Sequence, residues 1–240
     1  MGRRAGIFVL CVLLVIPLMA AGFTVGSIFL TEQEGEAYEA FSRQNVQDGG
    51  ILLVDQGGDL FLVCLWDGGN THLISIQPTA CPIAQTDKTF RDIYKEAGIG
   101  ELKKWISRSL SVGISGYLVV DLSRIEGVVD ALGGVELAGK TCDGQAFEAY
   151  FTDQPTDVAG AKAQQNAVLA VGRRFCSAGF WKAQNALGKL LRITDTDLSF
   201  GSLVKIGKKL IPALEGKGLY QHCLPVDGKW ELTGSAGMLT

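Results

Sequence analysis

One stretch constrains the fold more than any other: Gly116–Leu137, GYLVVDLSRIEGVVDALGGVEL. Tyr117–Leu122 is an apolar run rich in β-formers and predicts a strand. Ser123, with Glu126 three residues later, predicts a capping box opening a helix. Ile125, Val128, Val129 and Leu132 repeat at helical spacing, and Gly133-Gly134 supplies the left-handed residue that ends a helix. A strand leading straight into a short helix and a glycine stop belongs to a sheet covered by helices.

The neighbouring segments extend that architecture. Ile51–Val54, Leu60–Trp66 and His72–Ile76 are short apolar runs separated by Gly57-Gly58 and by Asp67–Asn70. These are turn residues, so the runs predict antiparallel strands joined by hairpins. Phe90–Glu96 and Glu101–Leu110 predict helices, as do Ala161–Phe175 and Phe180–Leu191. A further helix, Phe200–Leu210, is expected to stop at Pro212. Phe147–Phe151 and Leu219–Leu224 read as strands. The expectation is an α/β (α+β) fold, a mixed and partly antiparallel sheet flanked by helices.

Residues 5–30 carry no charge, and as a helix they would span about 39 Å, against a bilayer core of about 30 Å. Arg3 and Arg4 precede the run, and Glu32 is the first acid after it. The charge rule for membrane helices therefore places residues 1–4 in the cytoplasm, an anchor over 5–30, a polar membrane-proximal linker over 31–48, and an extracytoplasmic domain over 49–240. The alternative is a cleaved signal peptide, with Leu18-Met19-Ala20 as a weak cleavage signal. Outside the cell, Cys81, Cys142, Cys176 and Cys223 are open to disulfide formation or to burial as thiols, while Cys64, within a strand run, reads as a small core residue. No cysteine–histidine spacing suits zinc. His72 and His222, far apart in the chain, read as structural or exposed. The net charge of −3 gives no reason to expect nucleic acid as a partner, and four residues before the anchor cannot hold a DNA-binding helix pair.

The 116–137 segment resembles the LytR-CpsA-Psr family of cell-envelope proteins, whose motif runs roughly YVVVDFxGFxxLVDALGGVxV. The resemblance extends from about Ile51 to Lys229. Lys88–Leu137 follows the family stretch from KINAAYAYGG to DALGG, Leu198–Leu210 its late helix, and Leu224-Pro225 its terminal LPG. It implies transfer of a polyprenyl-linked glycopolymer from an undecaprenyl-pyrophosphate carrier to peptidoglycan. It also implies an apolar pocket between sheet and helices, for which Val119, Leu122, Val128 and Val129 are candidate lining positions, although by their periodicity they read first as plain core. At the pocket mouth, arginines would grip the pyrophosphate beside a magnesium ion.

The arginines are missing. SIPRD aligns with Ser75–Thr79, placing Pro78 and Thr79 at the arginine and aspartate. AYVRxR aligns with Ala149–Gln154, placing Thr152 and Gln154 at the arginines. DFGRxxRQQ aligns with Asp157–Gln165, placing Gly160 and Ala163 at the arginines while keeping Asp157, Gln164 and Gln165. Asp59 matches the aspartate opening a family strand and is the candidate catalytic residue. Asp55 and Asp59 are the candidate magnesium ligands, and Lys162, Gln164 and Gln165 the candidate substrate contacts. A multiply charged headgroup needs cations to offset its desolvation, so this chain reads as a membrane-bound relative with degenerate catalysis. It would bind a polyprenyl-linked glycopolymer or a cell-wall partner. The alternative is an active phosphotransferase that relies on Asp59, Asp55 with magnesium, and Lys162.

Overall fold

The computed structural model describes residues 50–67, 69–82, 87–155 and 157–225. The expected anchor and linker lie outside these residues. Among the described residues, no helix is long and apolar enough to cross a membrane.

Among the described residues eight strands form in chain order: β1 (Gly50–Asp55), β2 (Phe61–Asp67), β3 (Asn70–Ile76), β4 (Ile114–Val120), β5 (Val135–Leu137), β6 (Lys140–Cys142), β7 (Thr194–Thr196) and β8 (Leu219–Leu224). Six of them make one sheet in the order β7-β4-β1-β2-β3-β8. β1, β2 and β3 pair antiparallel as two hairpins, as their turn residues predict. β4 then pairs parallel to β1, and β8 parallel to β3. β5 and β6 form a separate small hairpin.

The helices are α1 (Phe90–Leu110), α2 (Glu126–Leu132), α3 (Gly144–Thr152), α4 (Val158–Ser177), α5 (Phe180–Arg192) and α6 (Phe200–Leu214). Alternation along the strands divides the core between them. Leu52, Val54, Phe61 and Val63 face α1, where they meet Phe90, Leu102 and Ile106. Leu60, Leu62 and Leu73 face the opposite way, against α2, α3, α4 and α5. The sheet is thus covered on both sides, as its apolar runs require.

Several local expectations are corrected. Phe147–Phe151 is helical, not a strand. Asp143 accepts a hydrogen bond from the Ala146 amide at 2.8 Å and starts α3. Phe147 and Phe151, four residues apart, then share one buried face. The Ser123–Glu126 capping box does not form. Leu122–Arg124 is a single 3-10 turn, and α2 starts at Glu126 without a side-chain cap. The Ser123 hydroxyl donates instead to Asp121 at 2.6 Å. The capping box is found at α1, where Thr89 and Asp92 exchange backbone and side-chain bonds. Pro212 does not stop α6; it sits in the last turn, and the helix closes at Leu214 with Ala213 buried. The glycine stop is as read, with Gly133 left-handed at φ 78°. So is the break in α1, where Gly98 leaves helical geometry.

Candidate functional site

The parallel strands β1 and β4 end together, and the turns that follow them, with the start of α1 and the α3–α4 connection, enclose three adjoining clefts. Asp55, the last residue of β1, ties this end together. Its Oδ2 accepts from the Gly57 amide at 2.9 Å and its Oδ1 from the Leu122 amide at 3.2 Å. Burial pushes its carboxyl upward, while amide hydrogen bonds led by Leu122 act the other way.

The first cleft, of about 300 Å³, brings together Asp59, Pro78, Thr79, Thr152, Gln154, Asp157 and Gln164. Asp59 and the three segments aligned with SIPRD, AYVRxR and DFGRxxRQQ therefore each contribute a residue to one place, although they are spread over a hundred positions. The cleft also holds Arg91, which the motif alignment did not identify. Arg91 Nη2 lies 2.5 Å from Asp59 Oδ1, its Nε donates to the Gly58 carbonyl at 3.2 Å, and its own amide donates to Pro78. The only sequence signal for it is its place in the first turn of α1, just past the Thr89 cap. That turn abuts the end of β3.

A second cleft, about 540 Å³, is lined by Asp55, Asp59, Asp121 and Glu148 with Leu122, Phe151 and Gln164 and, among the described residues, by no lysine or arginine. A third, about 580 Å³, adjoins it at Gln56 and Asp121 and carries Lys95, Arg124 and Arg192 against Asp121 and Asp195.

The remaining candidates separate. Gln164 lines the first two clefts, but its neighbour Gln165 points the other way. Gln165 is fully buried, and its amide nitrogen donates to Ser75 Oγ at 2.8 Å and to the His222 carbonyl at 2.7 Å. It clamps α4 to β3 and β8. Lys162 is half-buried on α4 and lines none of the three clefts. Val128 and Val129 are sealed in the core at 0% exposure, whereas Val119 and Leu122 border clefts. Cys64, Cys81, Cys142, Cys176 and Cys223 are free thiols.

No family model and no curated protein matches the chain. Solved structures do. The LytR-Csp2A-Psr enzyme from Actinomyces oris aligns with a TM-score of 0.58 at 12% identity, over 74% of this chain and 80% of that one. TagT from B. subtilis aligns with a TM-score of 0.54 at 16% identity, over 81% and 85%. Protein gbs0355 from Streptococcus agalactiae aligns with a TM-score of 0.59 at 12% identity, over 73% and 76%.

The chain has the LytR-CpsA-Psr fold.

Asp55 and Asp59, the expected magnesium ligands, stand together at this end of the sheet. A Cβ built on Gly57 would lie 2.7 Å from Asp55 Oδ2 and 3.4 Å from Asp59 Oδ2, so the two carboxylates converge over the glycine. Among the described residues, no group of three or more acidic, histidine or cysteine side chains could hold a metal. This donor set suits only an ion that takes most of its ligands from water and a bound phosphate, as magnesium commonly does.

Proposed function

We propose that the protein is an extracytoplasmic cell-envelope component of LytR-CpsA-Psr fold. It is tethered to the membrane by residues 5–30, is catalytically degenerate, and binds a polyprenyl-linked glycopolymer or a cell-wall partner. The observation that carries this reading is the charge of the motif cleft. Among the described residues its one cation is Arg91, bound to Asp59, and the polar groups around that pair are the amides of Gln77, Gln154 and Gln164, the hydroxyls of Thr79 and Thr152 and the Asp157 carboxylate. Amides, hydroxyls and a carboxylate around a closed ion pair suit the hydroxyls of a sugar. They do not offset a pyrophosphate, whose desolvation costs several kcal/mol per charge without cationic partners.

Backbone geometry supports the same conclusion. Gly160 stands at a family arginine position, and a Cβ there would come within 1.8 Å of the Pro155 carbonyl oxygen. The α3–α4 connection has closed over the point from which that arginine would project. The adjoining second cleft, with four carboxylates, repels an anion further unless a divalent ion is bound between Asp55 and Asp59.

The test uses the full chain in detergent with an undecaprenyl-pyrophosphate-linked glycopolymer, titrated with and without magnesium, beside a transfer assay on peptidoglycan. We expect binding that survives chelation and no polymer joined to peptidoglycan. Transfer of polymer to peptidoglycan clearly above a protein-free control would overturn the degenerate reading.

A further inference from the structure

The end of the domain opposite the clefts carries a feature that the proposed function leaves unused. α4 starts at Asp157, which lines the first cleft, and runs about 30 Å away from it. α5 then returns about 20 Å to Arg192, which lines the third cleft. The turn between them, Ala178–Gly179, is therefore at the far end. β1 likewise runs from Gly50 at the far end to Asp55 at the clefts, so the chain enters the domain from residues 1–49 on the side where this turn lies.

Phe180 and Trp181 stand on the turn, 42% and 79% exposed, with their rings edge to face at 5.2 Å. They are two of the three large hydrophobic side chains exposed among the described residues. Three cations share the tip. Arg173 is exposed, with its Nε donating to the Leu214 carbonyl at 2.9 Å. Arg174 donates to the Leu132 carbonyl at 3.1 Å. Lys182 Nζ and Arg174 Nη2 converge, at 3.0 and 3.4 Å from a Cβ built on Gly133. Residues 158–192 hold six lysines and arginines and no aspartate or glutamate, in a chain whose net charge is −3. Glu215, near Cys176, is paired with Lys217 at 3.1 Å.

We infer that this aromatic–basic knuckle docks on an anionic lipid bilayer. Exposed tryptophan and phenylalanine partition into the headgroup–acyl boundary, and the surrounding cations meet the negative surface. Docking there holds the domain upright on its tether, with the three clefts turned away from the membrane toward the wall. The orientation rests on the tethered reading above; the lipid contact does not.

The full chain is reconstituted in phosphatidylglycerol vesicles with brominated acyl chains, and tryptophan quenching is compared between wild type and Trp181→Phe. A large exposed residue is removed, so folding is unaffected. Trp181 is expected to supply most of the quenched emission. The quenching should fall several-fold in phosphatidylcholine vesicles, in Lys182→Gln, and in high salt. Flotation after an alkaline wash reads the tether separately. A chain that floats but shows no Trp181 quenching overturns the knuckle and leaves the tether standing. A chain that washes off must still be quenched at Trp181 in the unwashed low-salt sample, or the knuckle is overturned as well. Equal quenching in both lipids would overturn its anionic specificity. So would protection of Trp181 by soluble poly(glycerol phosphate) without lipid quenching.

Discussion

His72 Nδ1 lies 3.2 Å from His222 Nε2, although 150 residues separate the two in the chain. Parallel pairing of β3 with β8 sets Ile74 opposite His222 and His72 opposite Tyr220. The His72 ring stacks on both His222 and Tyr220. Of two neutral imidazoles, one donates and the other accepts, so the pair is satisfied only while at least one is uncharged.

This pair predicts acid sensitivity. Burial lowers the pKa of His72, opposed by Asp67; burial lowers that of His222, and the charge of His72 adds to it. With both folded values below the ordinary 6.5 or so, the unfolded chain binds more protons as pH falls through and below that value. The pair's contribution is therefore whole above about pH 7 and is lost on acidification. Urea midpoints measured from pH 7.5 to 5 should fall, and His222→Gln should flatten the slope. An unchanged slope in the variant would show that other groups govern the response.

Gln165 predicts a stability effect where its neighbour predicts none. Gln165→Leu keeps much of the volume but strips a buried donor from Ser75 Oγ and from the Leu73 and His222 carbonyls. Leaving those acceptors unmet costs about 1–3 kcal/mol. Gln164→Ala, at the cleft wall, should stay within about 0.5 kcal/mol yet weaken glycopolymer binding. Chemical denaturation of both variants, with a binding titration, checks the contrast; equal stability losses would refute it.

The Arg91–Asp59 pair separates binding from folding. The side chains are 33% and 67% exposed, so the bridge is worth under about 1 kcal/mol. Arg91→Gln should leave the thermal midpoint nearly unchanged and lower affinity for the glycopolymer. A large loss of stability with intact binding would place Arg91 in the framework instead.

How much of this could be read from sequence depends on the range of the cause. The hairpins of β1–β3, the Gly133 stop and the Gly98 break are set by residues a few positions apart, and the chain declares them. Phe147–Phe151 misled because five apolar-rich residues fit either period; the deciding signal was Asp143 as a cap. The convergence of Asp59, Thr79, Gln154 and Gln164 was legible only through the family motifs. Arg91 and the His72–His222 pair were not, since both arise from long-range pairing that no local pattern encodes. Gln165 shows the same limit. Adjacent helical residues point about 100° apart, and which of the two glutamines faces the cleft depends on where α4 rests against β3 and β8.

Gly160 supplies the sharpest test of the degenerate reading, because the arginines that the family motif would place at 160 and 163 can be introduced one at a time. At 160 the new side chain would begin 1.8 Å from the Pro155 carbonyl oxygen, and that backbone cannot swing aside as a flexible side chain would. Asp157 caps the same turn by accepting from the Gly160 amide at 2.9 Å, so a shift there also threatens the start of α4. Gly160→Arg should therefore cost several kcal/mol, in the range of severe overpacking, and bring no gain in affinity for a pyrophosphate carrier. Ala163 is only half-buried on the next turn, and Ala163→Arg should fold with a loss under about 1.5 kcal/mol and strengthen carrier binding. Thermal denaturation and titration with undecaprenyl pyrophosphate read both variants. Should Gly160→Arg fold as well as the parent and bind the carrier more tightly, the Pro155 backbone would not be what keeps an arginine out of this position.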